Sequence, residues 1–156
     1  MTSSEPRWLS PVEQRAWRAL AAVLLRLPPA LDAQLQRDAR LSHFEYLVLA
    51  GLSEAPARTL RMSDLAALCN GSLSRLSHVV KRLEKRDWVR RSPCPEDGRY
   101  INATLTEDGF AKLSASAPGH VHIVRSLVVD ALSEDQVEQL IDIGTRITDR
   151  IDGMAS

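Results

Sequence analysis

MSDLAALCNGSLSRLSHVVKRLEKRDWVRRSPCPEDGRYINATLT, residues 62–106, decides how this chain folds. Ser63 is placed to cap a short helix over 64–69, whose apolar face is Leu65, Ala66, Leu68 and Cys69. Asn70-Gly71-Ser72 then makes a turn, with Gly71 free to take a left-handed backbone and Ser72 able to cap the next helix. Across 73–86, Leu73, Leu76, Val80 and Leu83 recur at three- and four-residue spacing and, with Val79, mark an inward helical face. Residues 88–94 and 100–106 alternate as strands, and Pro95-Glu96-Asp97-Gly98-Arg99 lies between them with an Asp-Gly hairpin signal. Helix, turn, helix and basic hairpin without a linker is the order of a winged helix-turn-helix.

The outward face of 73–86 carries Ser74, Arg75, Ser77, His78, Lys81, Arg82 and Lys85, with Glu84 its one acid. Short hydroxyls and an imidazole let a helix approach base edges, and the cations around them suit guanine edges and phosphates. The chain is formally neutral, with 20 basic and 20 acidic residues, so a globally basic nucleic-acid binder is excluded. A locally basic one is not. Between positions 58 and 99 ten cations face five acids, a net +5, which the rest of the chain balances at −5. An arginine at a hairpin tip, Arg99, can reach a minor groove or a phosphate, and Asp97 is close enough in sequence to orient it. Arg90 and Arg91 alternate along a strand, so one of the two, taken as Arg91, faces the phosphates.

Outward from this stretch the chain reads as helices. Residues 1–9 read as a loose arm, and Ser10-Pro11-Val12-Glu13 forms a helix start with a capping box. Ala16, Trp17, Leu20, Val23, Leu24, Leu25 and Leu27 make the first helix apolar around much of its circumference, as suits a helix held between others. Pro28-Pro29 is expected to interrupt it, with helix resuming over 31–38. Ser42 and Glu45 form a second capping box, with Leu41 and Tyr46 as a staple. After the wing, Thr106 caps a helix expected to break at Pro118-Gly119 and resume over 120–132. Ser133 and Gln136 open a last helix with one apolar stripe: Val137, Leu140, Ile141, Ile147 and Ile151.

At 44% hydrophobic and 26% charged residues the chain is a globular one, and with 4% aromatics its core is built of Leu, Val, Ala and Ile. No apolar run spans a bilayer and no secretory layout opens the sequence, so a cytoplasmic location is expected. Cys69 and Cys94 form neither a disulfide framework nor a metal motif; Cys69 is expected to be buried and Cys94, on the wing, more exposed. His43, His120 and His122 lack metal-ligand spacing, so neither a metal nor a cofactor is expected. With no nucleophile–base pair or phosphate loop, the chain is not read as an enzyme. The rival to a DNA reader is a winged-helix module that binds protein alone.

The stretch SLSRLSHVVKRLEKRDWVRRSPCPEDGRYINATLTEDG, from Ser72, resembles the multiple antibiotic resistance regulator (MarR) family of winged-helix transcription factors in its recognition helix, LEKR exit, D-x-R wing tip and LTE-G start of the next helix. The resemblance extends over nearly the whole chain. It implies a mainly α protein with a small β-hairpin wing. The winged helix-turn-helix DNA-binding domain occupies 41–106 (recognition helix 73–86, wing 88–106), and 10–40 with 107–152 form a helical dimerisation region. It further implies a homodimeric repressor on double-stranded DNA with a pseudo-palindromic operator. Ser72, Ser74, Arg75, His78, Lys81, Arg82 and Arg99 are its expected DNA-facing residues, with Asp97 bracing Arg99; Ser77 and Arg91 join them from the helix face and the strand alternation. Members commonly bind a small aromatic or phenolic effector between the two regions, and Trp17, His43, Tyr46 and Cys69 are of the type that lines such a space. Asp87 departs from the family's usual glycine and must take a left-handed backbone itself, and Tyr100 replaces a second basic residue after the wing arginine.

Overall fold

The computed structural model describes residues 6–155. Of the arm expected at 1–9, positions 1–5 lie outside the described residues, and 6–9 have no regular secondary structure. Six helices follow: α1 (Pro11–Ala39), α2 (His43–Glu54), α3 (Met62–Leu68), α4 (Leu73–Lys85), α5 (Glu107–Leu127) and α6 (Glu134–Ala155). Three strands, β1 (Thr59–Arg61), β2 (Val89–Pro93) and β3 (Ile101–Leu105), form an antiparallel sheet in the order β1-β3-β2. The expected hairpin is β2–β3, in register from Val89 opposite Leu105 to Pro93 opposite Ile101. The third strand, β1, was not legible: three residues are too short for an alternation to register.

Helix starts are fixed by local chemistry. In α1 the Ser10 amide donates to Glu13 Oε2 (2.7 Å) while Ser10 Oγ accepts from the Glu13 amide, a complete capping box. Ser42 and Glu45 do the same for α2, and Ser133 and Gln136 for α6. Thr106 Oγ1 accepts from the Gly109 amide (3.0 Å) and donates to the Asp87 carbonyl (2.6 Å), so one hydroxyl caps α5 and ties it to the end of α4. A Cβ at Gly109 would run into the Trp88 carbonyl; only glycine fits there.

Three local expectations are corrected. Neither α1 at Pro28-Pro29 nor α5 at Pro118 breaks. Each proline deletes a hydrogen bond to the carbonyl four residues earlier, which for α1 lies in the exposed turn of Leu24 and Leu25, where water can replace it. Each helix is anchored by buried residues on one side of its proline, Leu31 and Leu35 beyond it in α1 and Leu113 and Ser116 before it in α5, and the two helices pack on each other. Ser63 does not cap α3; β1 runs straight into that helix, so Arg61 is the cap residue and makes no side-chain cap bond. In the 70–72 turn the left-handed residue is Asn70 (φ 51°), not Gly71. Gly71 is needed for space instead, since a Cβ there would sit 2.7 Å from the Phe44 ring.

The core lies inside the helix-turn-helix lobe. Leu35, Leu41, Leu49, Leu52, Leu65, Leu76 and Leu83 have no exposure, closed by Val89, Ala103 and Leu105 from the sheet. Each such leucine contributes about 1.5–3 kcal/mol by leaving water. Leu73, expected inside, is 54% exposed because it sits on the first turn of α4, before the helix has packed down. The N-terminal half of α1 and all of α6 bury nothing: Leu25 is 75% exposed, Ile141 65%, and no residue of α6 is buried.

Candidate nucleic-acid interface

Ser72 opens α4 by accepting the Arg75 amide on its Oγ (3.1 Å). From there Ser72, Ser74, Arg75, His78, Lys81 and Arg82 are all exposed, on the side opposite buried Leu76, Val79, Val80 and Leu83. The expected reading face is therefore one continuous surface, with Ser77 half-buried at its edge. Its cations are positioned by neighbours. Arg75 lies with its guanidinium carbon 4.2 Å from the centre of the Phe44 ring, the same ring that Gly71 makes room for. Arg82 Nε donates to Glu45 Oε1 (3.3 Å), and the second oxygen of that buried carboxylate caps α2.

The wing is braced in the same manner. Arg99 donates through Nε to Asp97 Oδ1 (3.0 Å) and through Nη2 to Oδ2 (2.7 Å), a fork that fixes the guanidinium while leaving the arginine side chain 84% exposed. The Arg99 contacts hold the Asp97 carboxyl below its usual range, so the pair stays ionised. The Asp97-Gly98 pair does open a tight turn, over residues 97–100, but without the left-handed glycine an Asp-Gly hairpin usually carries. No glycine in the described residues has positive φ, and the loop closes through Cys94 amide to Tyr100 carbonyl (2.8 Å) and Tyr100 amide to Asp97 carbonyl (3.1 Å). That closure folds Cys94 inward to 6% exposure, against the expectation of a more exposed thiol. Cys69 is buried as expected, and burial pushes its thiol pKa up. Asp87 takes the left-handed backbone (φ 58°) required of it.

Arg91 turns toward α4. Its Nε and Nη2 donate to Glu84 Oε1 (2.8 Å) and Oε2 (3.0 Å), its amide donates to the same carboxylate, and Nη1 reaches Ser77 Oγ at 3.4 Å. Arg91 thereby couples the wing to α4, its charge offset by Glu84. Sequence reasoning passed over three positioning residues: Glu84, Glu45 and Phe44. For Glu84 the signal was present, as the one acid on a cationic face, six residues ahead of two strand arginines. For Phe44 and Glu45 there was none, because their partners on α4 lie more than thirty residues away.

Between α1, α2 and α4 an open cleft of roughly 1250 Å³ is lined by Leu24, Pro28, His43, Cys69, Arg75 and His78, among others. Two of the four expected effector-contacting residues, His43 and Cys69, reach it. Tyr46 is buried beside the His120 ring (4.2 Å between centroids), which lies 6.0 Å from that of His43. Trp17 is 57% exposed and does not line the cleft. Burial holds both His43 and His120 below the usual imidazole pKa, with Asp32 partly offsetting this at His43. Among the described residues no group of three or more His, Cys, Asp or Glu is placed to hold a metal ion, and no helix is long and apolar enough to cross a membrane.

Comparison with known proteins gives this arrangement a context. Residues 41–101 match the MarR family model. The chain is 45% identical to Sco3205 of Streptomyces coelicolor, a MarR family transcriptional regulator solved in complex with DNA; the match covers 94% of this chain and 91% of that one at a TM-score of 0.88. It is 30% identical to the regulator PecS of Dickeya dadantii over 78% of this chain and 72% of that protein. To the transcriptional repressor MprA of Escherichia coli it is 27% identical, over 70% of this chain and 61% of that one. The chain spans between 49% and 72% of the length of the curated relatives it matches, and 54% of one of the nearer ones.

Proposed function

Because the chain belongs to the MarR family of transcriptional regulators, we propose that it reads duplex DNA as a homodimer and represses transcription from a pseudo-palindromic operator in response to a small aromatic effector. The observation that carries this reading is the shared surface of α4 and the wing. Ser72, Ser74, Arg75, His78, Lys81 and Arg82 stand exposed on α4, and Arg99 is held out at the wing tip by Asp97. In this reading α4 lies in the major groove, Arg75 and the short hydroxyls meet base edges, and Arg99 enters the flanking minor groove. Arg91, tied to Glu84, sets the distance between the two elements.

Dimerisation is supported by the exposed apolar faces on α1 and α6, which suit a second copy of the same helices. The repressing sense is supported by the name of the relative MprA. An effector is supported by the cleft between α1, α2 and α4, since a molecule wedged there changes how α4 stands against α1. A cytoplasmic location follows from DNA as the partner.

Selection of duplexes from a randomised pool tests the proposal. The wild-type chain is expected to enrich a pseudo-palindrome whose half-sites lie about one helical turn apart. Arg75→Ala is expected to relax preference at particular base pairs, at a cost of about 1–3 kcal/mol. Enrichment of nothing, or of single isolated half-sites, contradicts the dimeric reader.

A further inference from the structure

Two arginines around the wing, Arg61 on β1 and Arg90 on β2, lie outside the ion pairs found among the described residues. Arg58, Arg82, Arg91 and Arg99 each hold a carboxylate oxygen within 3.3 Å. Arg61 ends β1, pairs in register with Asn102 of β3 and is the cap residue of α3 without using its side chain as a cap. Its guanidinium carbon instead lies 4.5 Å from the centre of the Tyr100 ring, next to Arg99, and Tyr100 is itself 43% exposed. A cation over an aromatic face is held in place while its charge stays available to another partner. That charge reaches the wing tip: after Arg99, Arg61 also helps hold the Asp97 carboxyl below its usual range.

The position of this cation gives it a use. A groove of about 290 Å³ separates α4 from the wing; Leu73 and Ser77 form one wall, Arg99 and Tyr100 the other, and Arg61 and Ser63 lie between them. When a helix occupies a major groove and its wing the adjacent minor groove, the sugar–phosphate strand that divides the two grooves must cross the gap between helix and wing. We propose that Arg61, carried on the Tyr100 ring, binds a DNA phosphate in that gap, so that each wing presents two cations, one from its own tip and one from the neighbouring strand. The proposal rests on the DNA-reading function above. It adds a backbone contact that positions the protein without reading sequence.

The test measures affinity against salt concentration on a duplex enriched by the wild-type chain. Each neutralised phosphate contributes about −0.9 to the slope of log affinity against log salt. Arg61→Ala is expected to reduce the slope by about one per protomer and to weaken low-salt binding about tenfold. Arg61→Lys is expected to restore most of the slope, and Arg61→Gln, which keeps the long side chain, to behave as Arg61→Ala with thermal stability unchanged. In an Arg99→Ala background, Arg61→Ala is expected to lower the slope by a further increment. If the double variant equals Arg99→Ala alone, Arg61 acts only by bracing the tip and the proposal is overturned. It is also overturned if the Arg61 variants keep the wild-type slope. Tyr100→Phe is expected to match wild type, while Tyr100→Leu loses about threefold; equal losses in the two overturn the platform role. Absence of any wild-type binding overturns the DNA-reading function and this inference together, an outcome distinct from the others.

Discussion

The lobe from Leu31 to Leu113 and the helical arms formed by the N-terminal half of α1 and by α6 are built from similar aliphatic residues and end in opposite states. In the lobe, Leu41, Val48, Leu49, Leu52, Leu65, Leu76, Val80 and Leu83 have no exposure at all. On the arms, Trp17, Leu24, Leu25, Ile141 and Ile151 are each more than half exposed. The lobe completes its core within one chain, because α2, α3 and α4, the end of α1, the start of α5 and the sheet close around a single point. The arms are long helices whose apolar stripes are left largely exposed by their own chain. Exposed stripes of this size mark an interface. Under the proposed homodimer, the comparison separates a region whose stability is intrinsic from one whose stability would depend on a second copy.

The largest effect expected from that contrast concerns association. Ile141→Glu with Ile147→Glu places two carboxylates in the α6 stripe, repeated by two-fold symmetry, at a cost of several kcal/mol on the order expected for unpaired buried charge. Sedimentation equilibrium is expected to show the mass falling from two chains to one while the lobe's far-ultraviolet dichroism persists. Leu76→Ala is expected to do the reverse. It removes a fully buried side chain and lowers unfolding free energy by about 2–5 kcal/mol in denaturant titrations, leaving the affinity of the arms for each other unchanged. If the α6 variant stays dimeric, or unfolds the lobe, the division drawn between the two regions is wrong.

A smaller effect arises where the regions meet. His43 and His120 pack with Tyr46 at the junction of α1, α2 and α5, and burial depresses both imidazoles. A histidine whose folded pKa lies below its unfolded value makes the unfolded chain the better proton binder under acid. Stability from this junction is thus complete above about pH 6.5, the ordinary imidazole value, and declines as pH falls below it. Melting temperatures between pH 8 and pH 5, above the range where Asp and Glu titrate, should fall in the wild type and fall less in His120→Gln. Equal slopes would show that the junction does not sense protons.

The same contrast explains which features the sequence made legible. Helix starts were readable because Ser10, Ser42, Thr106 and Ser133 find their partners three residues away. The outward face of α4 was readable because helical spacing alone sorts Leu76 and Val80 from Arg75 and Lys81. Effects fixed by distant contacts were not. The prolines of α1 and α5 read locally as breaks, yet both helices run through them, packed on one another. Gly71 read as a backbone device, whereas the residue that confines it, Phe44, lies on α2. Cys94 looked exposed by its place in a hairpin, and only the closed loop from Cys94 to Tyr100 turns it in. Leu73 matched the inward spacing, but a first-turn position left it outside.

Salt-titrated DNA binding of the wild type beside Arg99→Ala tests most directly whether α4 and the wing together form a nucleic-acid reader. The wild type is expected to lose affinity steeply as salt rises, and Arg99→Ala to bind more weakly to many sequences with a slope reduced by about one per wing. Binding that is indifferent to salt, or a variant that matches the wild type throughout, would contradict the account and turn this surface over to a protein partner.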